Sequence, residues 1–399
     1  MIRVAMVNTV RTQGGAARVA ALLAQTFHDH FDDVDVTLYH CEHRERTPPF
    51  YGLKRPLSRP LNAFLARLGG STCVWDMGVA GDIVDKTRNA DVLHIHNLHG
   101  YYLDYPKLLH AWRDRPVVWT LHDMWSLTGR CGSSSECSSW RLGCPMCPYK
   151  KYYPKAWIDN AKREFQLKQY LYSIMNSLTI VTPSNWLSDL ALQRGFSREY
   201  VHVVPNPVDT TKFGPIDKYK ARKELNLPDN AYLALFVASD CGDRRKGYAD
   251  FAHAVIKSGC LGLAVGKRPP QPAQGVLHTG SVSDQSAINL YYCASDVFII
   301  PSYADNYPNT VIEALISGTP VIGYEEGGIP SQLDLPHCRI VAKGDRQALC
   351  DALVNLVAGD GKESSQSREL SEIAQRRWAP QTVADQYRNI YRKQCNPKN

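Results

Sequence analysis

The stretch PSYADNYPNTVIEALISGTPVIGYEEGG, residues 301–328, sets one acid at Asp305 and a second at Glu313, then runs through a strand-like TPVIGYE into paired glycines. Thr310 opens the helical run TVIEALIS, so Glu313 falls near its first turn and Asp305 in the loop before it. By residue type alone, two such acids are solvated surface or helix N-terminal charge. Any ligand has to come from the rest of the chain.

Outward from this stretch, short runs rich in Val, Ile and Leu alternate with helical segments, the pattern of a parallel sheet wrapped by helices. In the first half the strand candidates are 3–8, 35–40, 91–97, 116–122, 178–184 and 201–206; in the second, 231–239, 261–267, 276–281, 296–302 and 319–325. PNPVDTTKFGPID (205–217), with three prolines and little periodicity, reads as the linker. The expected organisation is a domain over 1–205, a second over 206–377, and a C-terminal helix, 378–395, packing back on the first. Two doubly wound domains in series imply a cleft, with ligands at the carboxyl ends of the strands.

At 399 residues and 44% hydrophobic, the chain is too long for one ordinary core. It has no apolar run of about 18 residues, and Met1 leads straight into IRVAMV with no signal-peptide pattern, so a cytoplasmic protein is expected. Its 12 cysteines are then expected free or metal-bound. The net charge of +7 favours an anionic partner: a sugar phosphate, a nucleotide or an acidic membrane. Nucleic acid is not among the expected partners.

A dinucleotide-binding dehydrogenase would need G-x-G-x-x-G after the first strand, and NTVRTQGGAARVA offers only Gly14 and Gly15. Those glycines allow close approach of a phosphate or sugar at a helix start, or form a plain strand-to-helix turn. DVD (33–35) has the form of a metal-binding D-x-D, but it leads into the second strand and reads as turn structure.

Taken with RRKG (244–247) and VVPNPVD (203–209), the 301–328 stretch resembles the donor half of a family 4 retaining glycosyltransferase. The resemblance implies the GT-B fold, α/β with two Rossmann-like doubly wound domains facing a cleft. WTLHDMWSLTGRC (119–131), CSSWRLGCPMCP (137–148) and TPSNWLSDLA (182–191) resemble a bacterial subgroup that builds exopolysaccharides and O-antigens.

The same resemblance implies the site roles. Glu313 would accept hydrogen bonds from the ribose and Asp305 would face the donor sugar, with backbone at Asn309 and Thr310 meeting the diphosphate between them. Lys246 matches the family lysine, and Arg245 or Arg244 stands in for an arginine normally placed further upstream; a bare basic triplet also reads as a solvated loop. Gly15 and Val282 complete the donor-side candidates. His122 matches the position that approaches the transferred sugar, and His122, Asp305 and Lys246 are the catalytic candidates. His96, Asn97 and Asp123 are the acceptor-side candidates, while His94 reads as core. Two departures stand out: Asp305 replaces the commoner Glu, and Tyr307-Pro308-Asn309 replaces Phe-Gly-Leu, so no N–H is available at 308.

The implied reaction is retaining transfer of a sugar from a nucleotide-diphosphate sugar to a glycan or lipid-linked acceptor, with no catalytic metal required. The alternatives are a sugar-nucleotide epimerase of the same fold and a non-catalytic glycan-binding protein. Two segments stand outside this reading. Cys131, Cys137, Cys144 and Cys147 end in C-x2-C spacing and are a structural zinc site, a set of free buried thiols or an adventitious disulfide. FYGLKRPLSRPLNAFLARLGG (50–70) carries Lys54, Arg55, Arg59 and Arg67 with no acid. It suits docking on anionic lipid at the inner face of the cytoplasmic membrane, or a mobile acceptor loop.

Overall fold

Each apolar run picked out above forms a strand, and all the strands pair in parallel. The computed structural model describes residues 1–42, 45–53, 59–68, 76–134, 136–151, 154–358 and 364–395. The chain divides into unit 1, Met1–Pro207 with Pro380–Asn399, and unit 2, Val208–Ala379.

Unit 1 holds β1 (Ile2–Val7), β2 (Val34–His40), β3 (Phe50–Gly52), β4 (Val92–Ile95), β5 (Val117–Thr120), β6 (Leu178–Thr182) and β7 (Val201–Val203), in the order β3-β2-β1-β4-β5-β6-β7. Parallel neighbours need crossover connections, so helices cover both faces. The strand period of two sorts the core accordingly. Val4 and Met6 pack with Leu23 and Phe27 of the helix Gly15–His30, whereas Ala5 and Val7 pack with Ile83, Leu108 and Leu109 on the other side.

The C-terminal helix Pro380–Cys395 belongs to this unit. Its Tyr387 and Tyr391 are buried, with Tyr391 Oη 2.7 Å from His94 Nδ1 and Tyr387 Oη 2.9 Å from Thr120 Oγ1. On its outer side Arg388 and Arg392 reach Asp33 at 3.0 and 2.8 Å. The first acid of DVD is thus an anchor for this helix.

Unit 2 holds β8 (Leu233–Asp240), β9 (Leu261–Lys267), β10 (Val276–Gly280), β11 (Val297–Ile300), β12 (Val321–Tyr324) and β13 (Arg339–Val341), in the order β10-β9-β8-β11-β12-β13. Phe298, Ile300 and Val321 face the helix Asn309–Ile316, whose Val311, Ile312, Leu315 and Ile316 are fully buried. Burying each such side chain contributes about 1.5–3 kcal/mol, which fixes this helix more firmly than its eight-residue length would alone.

The strands not read from the sequence, β3 and β13, are three-residue edge strands. In both sheets the strand order reverses beside the first strand, between β1 and β4 and between β8 and β11. Loops leaving the carboxyl ends of those strands diverge there, which opens a crevice for a ligand.

Candidate active site

At the reversal point of unit 2, three loops are locked together by backbone. The loop after β8 makes a single 3-10 turn, Arg244–Lys246, capped by Asp243 and closed by Gly247 at φ +74°. A β-carbon at Gly247 would lie 1.9 Å from the Pro301 carbonyl oxygen, so only glycine fits. Tyr303 N–H donates to Arg245 O at 2.7 Å, tying this turn to the loop after β11. The loop after β12 closes from the other side: Gly328 N–H donates to Asn306 O at 2.7 Å, and a β-carbon at Gly327, φ +57°, would lie 1.8 Å from Asp305 O.

This packing brings two of the catalytic candidates together. Lys246 Nζ stands 2.6 Å from Asp305 Oδ2, and Ser302 Oγ donates to the same oxygen at 3.4 Å. Both charged side chains stay partly exposed, at 30% and 15%. Behind them, buried Asp250 accepts from Tyr303 Oη at 2.5 Å, Tyr324 Oη at 2.9 Å and Arg346 Nε at 2.6 Å, which holds the 301–305 loop from beneath. Arg245 is engaged by Asp243 at 2.6 Å and Arg244 is exposed.

The helix Asn309–Ile316 begins next to this pair, its amino end carrying partial positive charge. Asn309 and Thr310 are partly exposed, while Glu313 is buried and accepts from Tyr292 Oη at 3.2 Å. Pro308 precedes the helix and uses its carbonyl instead of the missing N–H, accepting from Gln332 Nε2 at 3.1 Å. Tyr307 turns into the core, where Trp378 Nε1 donates to its hydroxyl at 2.9 Å. Val282 follows β10 and packs partly buried against the unit 2 core.

Unit 1 carries a different kind of constellation at its own reversal point. Asn97 N–H donates to Asn8 Oδ1 at 3.0 Å, linking the ends of β4 and β1. His96 Nδ1 lies 2.8 Å from His122 Nε2 with the rings stacked, and His96 Nε2 is buried with no hydrogen-bond partner among the described residues. Burial drives His96 well below the ordinary imidazole pKa and His122 down to about 4, so both are neutral at pH 7. Asp123 accepts from His99 Nε2 at 3.0 Å and from Trp125 N–H at 2.8 Å. His94 is core, its Nε2 2.8 Å from Thr120 Oγ1. Gly15 is exposed and opens the helix after β1, with Gly14 before it at φ +92°.

Several contributors were not read from the sequence. Glu326 pairs with Lys343 at 2.7 Å; burial raises its pKa against the pull of that lysine, and nearby Asp305 adds to the rise. Its signal was the EEGG run itself, acids set against glycines after a strand. Asp250 and Asn8 had none beyond a polar residue in an apolar setting.

Two doubly wound parallel sheets in one chain, each with its own reversal point, are the halves of a GT-B fold. The sequence profile of Glycosyltransferase Family 4 matches residues 13–212, and that of Glycosyl transferases group 1 matches residues 235–359. The chain belongs to glycosyltransferase family 4. It is 27% identical over 326 residues to the putative colanic acid biosynthesis glycosyl transferase WcaC of Escherichia coli K12, covering 77% of this chain and 78% of that one. Two solved structures share the fold. Sucrose-phosphate synthase from Thermosynechococcus elongatus superposes with a TM-score of 0.67 at 17% identity, over 98% of this chain and 99% of that one. Anabaena HepE in complex with UDP-glucose gives 0.68 at 15%, over 98% and 100%. These matches favour sugar transfer over the epimerase and binding-protein alternatives. Among the described residues, no helix is long and apolar enough to cross a membrane.

Proposed function

We propose that the chain transfers a sugar from a nucleoside-diphosphate donor, bound by unit 2, to a hydroxyl of a glycan or lipid-linked acceptor in bacterial surface-polysaccharide assembly, with retention of configuration. The observation that carries this reading is the 2.6 Å contact between Lys246 and Asp305 beside the amino end of the helix that holds Glu313. A diphosphate suits a lysine and a helix start, and ribose hydroxyls suit a carboxylate.

In this reading the arriving diphosphate draws Lys246 from Asp305, which turns to a hydroxyl of the donor sugar. The bond from the anomeric carbon to the phosphate oxygen breaks as the bond to the acceptor oxygen forms on the same face. The acceptor proton goes to the departing phosphate. No side-chain base and no catalytic metal are assigned: Lys246 and the helix end stabilise the leaving group, and catalysis rests on positioning and charge. Neutral His96 and His122, with Asn97 and Asp123, are assigned to uncharged hydroxyl-bearing groups. The name of the E. coli relative supports a polysaccharide acceptor. The test is release of nucleoside diphosphate from UDP-sugars and GDP-sugars with and without an undecaprenyl-linked glycan; release that ignores the acceptor would contradict it.

The same reading puts unit 1 on an anionic bilayer. Lys54 and Arg55 lie outside the described residues, but the helix Arg59–Arg67 exposes Leu61 and Phe64, with Leu68 just beyond, along one face. Trp157 stands edge-on to Phe64 at 5.9 Å, and its N–H donates to Arg67 O at 2.7 Å. Trp157 and Ile158 are more than half exposed, and Lys150, Lys151 and Lys155 are exposed just before them. An apolar strip with an exposed Trp and a basic border suits a headgroup interface. Vesicles containing phosphatidylglycerol should sediment the protein and neutral vesicles much less. Phe64→Ser with Trp157→Ser should abolish the difference, and unchanged sedimentation would remove the bilayer from the reading.

A further inference from the structure

After β5 the chain of unit 1 turns through residues 131–147, where four cysteines return to one place. Cys131, Cys137, Cys144 and Cys147 all line a single cavity of about 20 Å³, walled on its dry side by Trp140 and Ala161. That is room for about one water molecule or ion.

The backbone around the cavity is arranged to present sulfur. Gly143 and Cys144 take φ of +84° and +53°, two left-handed residues in succession, and Cys144 Sγ accepts the N–H of Gly129 at 3.2 Å. The Tyr149 N–H points at Cys147 Sγ, and Cys147 N–H donates to Asp159 Oδ2 at 2.6 Å. Thr128 Oγ1 donates to Cys131 O at 2.7 Å.

Charge points the same way. Arg130, 5% exposed, lines this cavity; its Nη2 donates to Pro154 O, but Nη1 is buried with no hydrogen-bond partner among the described residues. Lys168, also buried, gives its protons to the carbonyls of Trp125, Thr128 and Gly129 at 2.5, 3.0 and 3.2 Å. The buried Glu164 one helical turn away offsets Lys168. A buried guanidinium nitrogen on this cavity lacks an acceptor among the described residues, and burying such a group uncompensated is costly.

We propose that Cys131, Cys137, Cys144 and Cys147 bind one zinc ion as a tetrathiolate. Zinc displaces the four thiol protons to solvent, leaving a centre of charge −2 whose sulfurs accept from Gly129, Tyr149 and Arg130. Among the described residues no three His, Cys, Asp or Glu side chains stand at ligating geometry as placed, so the thiols must rotate about their Cα–Cβ bonds into the cavity they already line. The ion is structural. Met124 N–H donates to Gly132 O at 2.8 Å, and Gly132 packs so closely on Asp123 that a β-carbon there would lie 3.0 Å from Oδ2. Closing the sulfur cluster therefore fixes the loop that carries His122 and Asp123.

The full chain purified without chelator should contain about one zinc ion, with Zn–S distances of about 2.3 Å by X-ray absorption. Cys144→Ser with Cys147→Ser should lose the metal and lower the unfolding midpoint. Wild type refolded with Co(II) is a second measurement that does not depend on the variant folding, and it should show the visible bands of a tetrahedral cobalt tetrathiolate. Wild-type protein that lacks zinc and gives no such bands would overturn the proposal. Disulfides among these cysteines by mass spectrometry would do the same, as would zinc retained by the double variant.

Discussion

The two reversal points share a topology and differ in chemistry. In unit 2 the loops after β8 and β11 meet through a charged pair, Lys246 and Asp305, left partly open to solvent. In unit 1 the loops after β4 and β5 meet through stacked histidines, His96 and His122, that burial keeps neutral. One parallel-sheet plan thus carries a charged pair in one unit and neutral imidazoles in the other, because the fold fixes where loops converge and the loop sequence fixes what they carry.

The sharpest way to break this contrast is to discharge unit 2. Lys246→Ala should lower turnover by roughly 10² or more, since it removes a cation aimed at the leaving phosphate. A loss under about threefold would assign that charge to Arg244 or Arg245, or leave the turn as a solvated loop.

Next in size is the backbone lock. Gly327→Ala drives a β-carbon to 1.8 Å from Asp305 O. It should cost at least about 1–3 kcal/mol of unit 2 stability and most of the activity, read by urea unfolding and turnover together. Retention of both would mean that the three loops are not rigidly joined.

The acids should then separate by kinetic signature. Glu313→Ala is expected to weaken nucleoside-diphosphate binding in the ground state, and Asp305→Asn to lower turnover with a smaller effect on binding. Tyr292→Phe, which removes only the hydroxyl donating to Glu313, is the control and should change affinity less than Glu313→Ala does. Equal effects of Tyr292→Phe and Glu313→Ala would make Glu313 a packing residue.

A pH titration sharpens the unit 1 side. Burial lowers His94 to about 3 and His122 to about 4 in the folded chain, against an ordinary value of 6.5. The unfolded state then binds more protons below that ordinary value. The stability these rings contribute is full above about pH 6.5 and falls as pH drops toward the folded values. Unit 2 has a milder counterpart in His278, so the unfolding transition of unit 1 should shift more between pH 7 and 5. A shift confined to unit 2 would contradict the neutral-histidine description.

What the sequence made legible follows from the range of the forces involved. Alternating apolar runs announced the strands because a buried parallel strand must be apolar along its length. Lys246, Asp305 and Glu313 were picked out as candidates through the resemblance to a known family, since by residue type alone they read as solvated charge. The contacts that set their geometry were not: Gly247 against Pro301 and Gly327 against Asp305 join segments far apart in the chain, and a lone glycine does not say what approaches it. Nor does the sequence say where Tyr307 turns, because its partner Trp378 lies seventy-one positions away.

The central claim is that unit 2 binds the donor through Lys246 and Glu313. Its most direct test is the thermal midpoint of wild type, Lys246→Ala and Glu313→Ala with a panel of UDP, GDP, ADP and TDP. One nucleotide should raise the wild-type midpoint, by an amount equivalent to about 2.7 kcal/mol at a hundredfold excess over its dissociation constant, and each variant should lose most of that rise. An undiminished rise in both variants, or none in wild type with any of the four, would contradict it.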